Sequence, residues 1–489
     1  MLSISRSLIR QFRAVARRAG LNKSGSRGSA YVRVCSTEDT LRLLSSNGRV
    51  AIEYQAHGEF RAADVTVPFQ LFADCEAKAE SQVTIRMEDT GRIVAAWDDR
   101  GVPQHRDYDV PNVIPEMPSR PSEWSSNAPT LLVALREAKA TANDSATRYS
   151  LDCLQLNGST GTIAATDGHQ LLLQSGFQFP WPEELLMRAT NVFASAEFSS
   201  DVPIEIGHTE QGISVRIGAW TIFHEVDKEG RFPKLDHTVP AEAAVMTRMR
   251  LDTADAKFLA ETVNRMPADD HPERPVTLEL NGEVVVRARN DGQSPITELV
   301  LNRSQRIGNQ LRLQTNRGFL ARASRMGFTE IGFVDDKSPC VCRDGSRTYV
   351  WMLLEPKGAL LSSQTAQRIE SLSVSRDSAT TGRASNTKMA KSTRSATDET
   401  ATTVVSVNRV AEHLPQVASG GSTKADTVPT LSPRHTIDVI EQTLALRDQL
   451  RIVTQGLTEL VTNIRQQRKQ TQLMKSTLKS LQQLQLLDA

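Results

Sequence analysis

The sequence predicts an α+β protein: three tandem modules, each with helices on one face of antiparallel sheets, then a disordered linker and a long C-terminal helix. Three observations carry this reading. One kind of hairpin occurs three times, a second kind preceded by a helical stretch also occurs three times, and the composition changes after Gly358. At 489 residues the chain is too long for a single core, because a domain holds roughly 100 to 200 residues.

The first hairpin type runs Thr40 to Tyr54 around Asn47-Gly48, Cys153 to Thr166 around Gly158 to Gly161, and Val276 to Arg289 around Asn281-Gly282. Each alternates apolar and polar residues about a turn, the pattern of a half-buried antiparallel pair. In the second type, helix Pro68 to Ala79 leads to Val83–Trp97, helix Pro182 to Ala196 to Ile204–Ile217, and helix Thr315 to Met326 to Glu330–Arg343. An opening helix precedes each period: Ser5 to Arg18, Pro129 to Thr141, and Thr253 to Met266, with Asp252 as N-cap of the last and Pro129 suited to a first turn. The repeat of about 120 residues places modules at 1–118, 119–242 and 243–358. Joined edge to edge, such sheets hide edges that would otherwise aggregate. The polar stretch Gln104 to Asp109 fits either pairing with another protomer's third module or keeping a monomer soluble.

Residues 359–433 are rich in Ser, Thr, Ala and charge, which is the composition of a disordered linker. Over 434–489, Leu446, Leu450, Val453, Leu457, Leu460, Ile464, Met474, Leu478 and Leu481 form a heptad seam interrupted by Gln467 and Thr471. A self-associating coiled coil is the first reading; a single amphipathic helix docked on the body or on a partner is the second.

The balance of 58 basic against 57 acidic residues leaves a net charge of +1, so any nucleic-acid surface must be local. The five cysteines lack zinc spacing and do not form a disulfide framework, which suits a reducing cytoplasm; neither a metal nor a cofactor is expected. No apolar run is long enough to span a bilayer. Residues 1–37 contain no acid, and read either as a transit peptide or as a strand followed by an amphipathic helix. In the helical reading, Arg6, Arg10, Arg13 and Arg17 share one face opposite Leu8, Phe12 and Val15. By itself such a stripe is a solvated face.

Ala165-Thr166-Asp167-Gly168-His169 is on its own only a turn, since Asp-Gly supplies the backbone geometry of a tight reversal. Glu229-Gly230-Arg231-Phe232-Pro233 and Tyr349-Val350-Trp351-Met352 follow it in order. With Tyr149-Ser150-Leu151 and the Val65 to Phe72 entry, these landmarks and the threefold repeat resemble the bacterial DNA polymerase III beta subunit, the sliding clamp, over roughly residues 1–357.

The resemblance implies DNA-clamp modules that close head to tail as a homodimer ring around double-stranded DNA, without base readout and without a catalytic site. It implies that Arg6, Arg10, Arg13, Arg17, Arg136, Lys139, Arg188, Arg317, Arg322 and Arg325 face phosphate, as do Lys257 and Arg265, with Lys23 and Arg27 on a loop at one mouth. It also implies a pocket for short linear motifs of DNA polymerase, clamp-loader subunits and repair proteins. One wall would be Leu151, Thr166, Gly168, His169, Gln170 and Leu171; the other would be Pro233, His237, Thr238, Met352, Leu353 and Leu354. Gln170 stands where the family usually carries arginine, His237-Thr238 replaces Arg-Val, and Met352 to Pro356 departs from the usual ending. These departures suggest a specialised paralogue. A scaffold that gathers partners through its tail without encircling DNA is the competing reading, and an enzyme using His169 and Asp167 is disfavoured for want of a nucleophile and an oxyanion device.

Overall fold

The computed structural model describes residues 2–22, 31–88, 91–111, 117–145, 149–199, 201–235, 237–269 and 271–371. Lys23, Arg27, the predicted linker beyond Ser371 and the C-terminal helix over 434–489 lie outside the described residues.

The element order recurs three times, with a 3-10 turn in place of the second helix in the second copy and one additional strand in the third. The first copy is β1 (Leu2–Ser5), α1 (Arg6–Arg18), β2 (Tyr31–Ser36), β3 (Thr40–Ser46), β4 (Val50–His57), β5 (Ala63–Pro68), α2 (Phe69–Cys75), β6 (Gln82–Met87), β7 (Arg92–Asp99) and β8 (Val102–Asp109). The second is β9 (Trp124–Asn127), α3 (Thr130–Thr141), β10 (Cys153–Asn157), β11 (Thr162–Thr166), β12 (Gln170–Ser175), β13 (Glu184–Arg188), a 3-10 turn (Asn191–Ala194), β14 (Ile204–Thr209), β15 (Gly212–Ile217) and β16 (Trp220–Glu225). The third is β17 (Thr247–Arg250), α4 (Thr253–Thr262), β18 (Pro275–Glu279), β19 (Val284–Ala288), β20 (Thr297–Leu301), β21 (Gln305–Gly308), β22 (Arg312–Asn316), α5 (Arg317–Arg325), β23 (Glu330–Phe333), β24 (Cys340–Asp344) and β25 (Arg347–Trp351). A further strand, β26 (Gln367–Glu370), follows.

Local chemistry sets these boundaries. The Ser5 hydroxyl accepts from the Leu8 N–H at the start of α1, and Asp252 caps α4 as its sequence position predicts, accepting from Ala254 N–H at 2.9 Å. In the β3–β4 turn, Asn47 Oδ1 accepts from the Arg49 and Val50 N–H groups while Gly48 takes φ +84°.

One expected helix is absent. Pro182 to Ala196 forms β13 and a 3-10 turn, because Glu184–Arg188 pairs antiparallel with β10 along its whole length, Cys153↔Arg188 to Asn157↔Glu184. Leu, Met, Glu and Arg favour helix weakly, and an available sheet edge overrides that preference. The ordered body also continues past Gly358, since β26 pairs parallel with β20 inside the stretch whose composition reads as linker.

The four sheets show how the copies join. β1-β6-β7-β8 stands by itself, while β5-β2-β3-β4 continues into β16-β15-β14-β9. Likewise β13-β10-β11-β12 continues into β25-β24-β23-β17-β21, and β22-β18-β19-β20 ends on β26. Helices pack in pairs, α1 on α2 and α4 on α5, with α3 against the 3-10 turn. One buried cluster, including Phe12, Phe72, Phe193 and Trp220, runs through the first two copies, and a second, including Leu320, Phe328, Tyr349 and Trp351, fills the third. Among the described residues no helix is long and apolar enough to cross a membrane.

Candidate functional site

The turn between β11 and β12 is closed by its own side chains. Thr166 Oγ1 donates to the Gln170 carbonyl at 2.6 Å and accepts from Gly168 N–H, while Asp167 Oδ1 accepts from the His169 and Gln170 N–H groups at 2.8 and 2.9 Å. Gly168 sits at φ +93°, a conformation that suits glycine, and His169 is left exposed. Because β12 pairs with β25, the Met352 N–H reaches the His169 carbonyl at 2.9 Å, which brings two landmarks far apart in sequence into one site.

Strand alternation then divides the expected pocket between two faces. Gln170, Leu172 and Gln174 face the helices: Gln174 Nε2 donates to the Ala134 carbonyl on α3, and Gln170 is 8% exposed. Gln170 Nε2 donates to Asp167 Oδ2 at 2.8 Å, and its Oε1 accepts from the Tyr349 hydroxyl at 2.6 Å. Burial pushes the Tyr349 hydroxyl well above its usual range, so it stays a donor. Gln170 is therefore not a rim residue that has lost its charge; it is a buried tie between the turn and β25.

Leu171 lies on the opposite face with Val245, Val341 and Val350, and Leu235 and Val239 pack over them. Thr238 N–H donates to the Leu235 carbonyl, a turn that leaves His237 and Thr238 exposed and Pro233 half-buried. Met352 is 44% exposed at the margin, whereas Leu353 is buried in the core of the third copy and the half-buried Leu354 bonds β22 through Gln314. Leu151 lies beside Gly168, where an added Cβ would sit 3.9 Å from its Cδ1. The structure thus gathers Thr166, Gly168, His169, Leu171 and Met352, and turns Gln170 and Leu353 inward. Leu235, Val239, Val245, Val341 and Val350 were missed, although the alternation in Tyr349-Val350-Trp351 carried a signal for the last.

The basic residues also separate. On α1, Arg10 and Arg17 are exposed, as are Arg136 on α3, Lys257 on α4, Arg265 just beyond it and Arg325 on α5. Arg6 is 5% exposed and donates to the Cys75 carbonyl at 2.7 Å, the Asp98 carbonyl at 2.6 Å and Asp99 Oδ1 at 3.2 Å, so it leaves the expected stripe. Arg13 pairs with Glu76, Lys139 with Asp144, and Arg188 pairs with Asp152 from a strand rather than a helix.

Arg317 is 1% exposed and donates to the carbonyls of Arg274, Met266, Pro267 and Pro275, with burial pushing its pKa down to about 10. Arg322 donates to the Glu137 and Ala140 carbonyls and to Thr141 Oγ1, so α5 supplies a cation to the C-terminal end of α3. Its guanidinium stands 5.7 Å from the Tyr349 ring centre. Arg6, Arg317 and Arg322 are internal ties and do not face solvent as a phosphate track would.

A cleft of about 770 Å³, lined by none of the expected pocket residues, lies where the β3–β4 and β14–β15 turns meet residues 226–229. Its lining mixes Arg49, Arg188 and Lys228 with Glu210, Asp227 and Glu229. Arg188 is already held by Asp152, and Asp227 accepts from the Ser150 hydroxyl and the Gly230 N–H, so these two charges serve the local fold. Among the described residues no cluster of His, Cys, Asp and Glu is arranged to hold a metal.

No family model matches the sequence, and no curated protein matches it either. Solved structures do match. The DNA polymerase III subunit beta of Pseudomonas aeruginosa is 19% identical, with a TM-score of 0.60 over 73% of this chain and 100% of that one. The beta chain from Streptococcus pneumoniae is 16% identical, with a TM-score of 0.58 over 73% and 100%. The beta subunit from Thermotoga maritima is 15% identical, with a TM-score of 0.59 over 72% and 99%. The described body of this chain therefore has the fold of the bacterial DNA polymerase III beta subunit, the sliding clamp.

Proposed function

We propose that this chain is a diverged sliding clamp. Two copies close head to tail into a ring around duplex DNA and tether polymerase and other replication or repair proteins, without chemistry of their own. The observation that supports this most is the exposure of Arg10, Arg17, Arg136 and Arg325 on helices of all three copies, within a clamp fold. Flexible, solvated cations of this kind attract phosphate without reading bases, and each contact is weak enough to exchange as the protein slides.

Clients would enter by a short linear motif whose Leu or Phe anchor lies beside the exposed Met352 and His169, at the margin of the buried cluster that Leu235 and Val239 cover. Burying about 100 Å² of apolar side chain contributes roughly 2 to 3 kcal/mol, which suits exchange between partners. Since Gln170 is committed to Asp167 and Tyr349, an acidic motif finds no guanidinium at that position. A reducing, cytoplasmic setting accords with the five unpaired cysteines.

The ring is tested by loading the full chain on nicked circular plasmid and washing with salt. Retention on the circle and loss on linearisation support encirclement; equal retention on both forms favours the scaffold reading. For the groove, Met352→Glu should abolish client-peptide binding while leaving the melting temperature unchanged. Retained binding would move the client site elsewhere.

A further inference from the structure

The internal repeat reveals a joint that has no partner module in this chain. β16 pairs with the outer edge of β4 from Val50↔His224 to Tyr54↔Trp220, and β25 pairs with the outer edge of β12 from Gln170↔Trp351 to Gln174↔Arg347. Both joints are antiparallel. By position in the repeat, β20 corresponds to β4 and β12, while β8 corresponds to β16 and β25. A third joint of the same kind would place β8 of a second copy, antiparallel, on the outer edge of β20.

That edge is occupied. β26 pairs parallel with β20, with Thr297↔Gln367, Glu298↔Arg368, Leu299↔Ile369 and Val300↔Glu370. We infer that β26 is an intramolecular plug on the closing joint, and that it must leave β20 before β8 of a second copy can pair there. The inference rests on the ring reading above, and adds to it a competition between two strands for one edge.

The way β26 is held makes it displaceable. All four of its residues are exposed, and Ile369, its sole large apolar side chain, is 42% exposed, so no side chain anchors it in the core. Arg368 pairs with Glu283 and Glu370, ion pairs on the surface that contribute little. Firmer hold comes just after the strand, where buried Ser371 donates its N–H to the Val300 carbonyl and receives Asn302 Nδ2 at its own carbonyl. Parallel ladders are slightly weaker per residue than antiparallel ones. The competitor β8 spans eight residues, has a largely exposed outer edge, and among the described residues pairs with one strand, β7, while its Tyr108 and Arg106 side chains bond Asp74 on α2. Exchange therefore trades one set of main-chain bonds on β20 for another, and the concentration of second copies decides which strand wins.

Amide hydrogen exchange on the full chain tests this, because it reads β8 and β26 separately whatever the C-terminal region does. Three forms are compared from submicromolar to high micromolar concentration. They are the native chain, Ile369→Pro, and a Thr297→Cys, Gln367→Cys pair in a Cys35→Ser background, measured oxidised and reduced. Thr297 and Gln367 are register partners, so oxidation ties β26 to β20.

The expected result is that β8 amides slow with concentration by about tenfold or more in Ile369→Pro and less in the native chain. The oxidised pair should show no slowing, and reduction should restore it. If β8 slows equally in the oxidised and reduced pair, the plug is refuted while the ring reading stands. If β8 exchanges at one fast rate in every form and at every concentration, both are refuted.

Discussion

Two sets of arginines in this molecule share a residue type and a helical setting but have opposite fates. Arg317 and Arg6 open their helices, α5 and α1, and are buried against backbone carbonyls from neighbouring elements. Arg10, Arg17 and Arg325 lie further along the same helices and end in water. The first residue of a helix stands beside whatever precedes and abuts the helix, so a long side chain there can reach other turns. Arg10, Arg17 and Arg325 stand on the solvent face of later turns, whereas Arg322, on the inner face of α5, is tied to α3. The first set joins parts of the fold, while the second leaves its charge available to a partner.

The largest expected effect breaks the buried set at its most enclosed member. Arg317→Leu leaves several carbonyls without donors and should cost at least about 3 kcal/mol, read as a lower denaturant midpoint at unchanged slope. Arg317→Lys, which keeps the charge but loses the fork, should fall between the variant and the native chain. Equal stability of Arg317→Leu and the native protein would show that the buried set is ornamental.

Next comes a buried base that lacks such partners. Neither ring nitrogen of His224 has a hydrogen-bond partner, and burial pushes its pKa from 6.5 down to about 4. Between those values the unfolded chain binds the proton and the folded chain does not, so stability falls as pH drops through that window. Above it the term vanishes. The full loss is on the order of 3 kcal/mol, and His224→Phe, beside Phe193, should abolish that share of the acid sensitivity in pH-dependent unfolding.

Arg6→Ala should cost about 2 kcal/mol, less than Arg317→Leu, because two carbonyls and the exposed Asp99 lose their donor. The smallest effect on stability belongs to Arg10→Ala with Arg17→Ala, within about 0.5 kcal/mol. The same pair should shorten retention on circular DNA and lower its salt slope by up to about 2. If stability falls and retention does not, the two sets have been assigned the wrong way round.

The repeat was legible because turn chemistry and alternation act locally. Asn47-Gly48 and Asp252 did in the fold what their sequence positions foretold. The helix expected over Pro182 to Ala196 was not legible, since the edge of β10 that captured Glu184–Arg188 is built from residues some thirty positions away. β26 is a similar case: its exposed residues have the composition of the linker around them, and only the vacant edge of β20 makes a strand of them.

At the candidate site, the Asp167-Gly168 turn was readable from sequence, and so was its company with Met352 by resemblance. The inward turn of Gln170 was not. Alternation places it on the helix side of β12, but its bond to Tyr349 exists because β25 pairs in one register, Gln170↔Trp351 and Leu172↔Tyr349. By itself the sequence determined turns, caps, hairpins and their threefold recurrence, all of which depend on neighbours within a few residues. Which edges meet, which arginines are enclosed and which strand occupies the edge of β20 were decided by the tertiary structure, because those outcomes depend on surfaces that exist only once distant segments have packed.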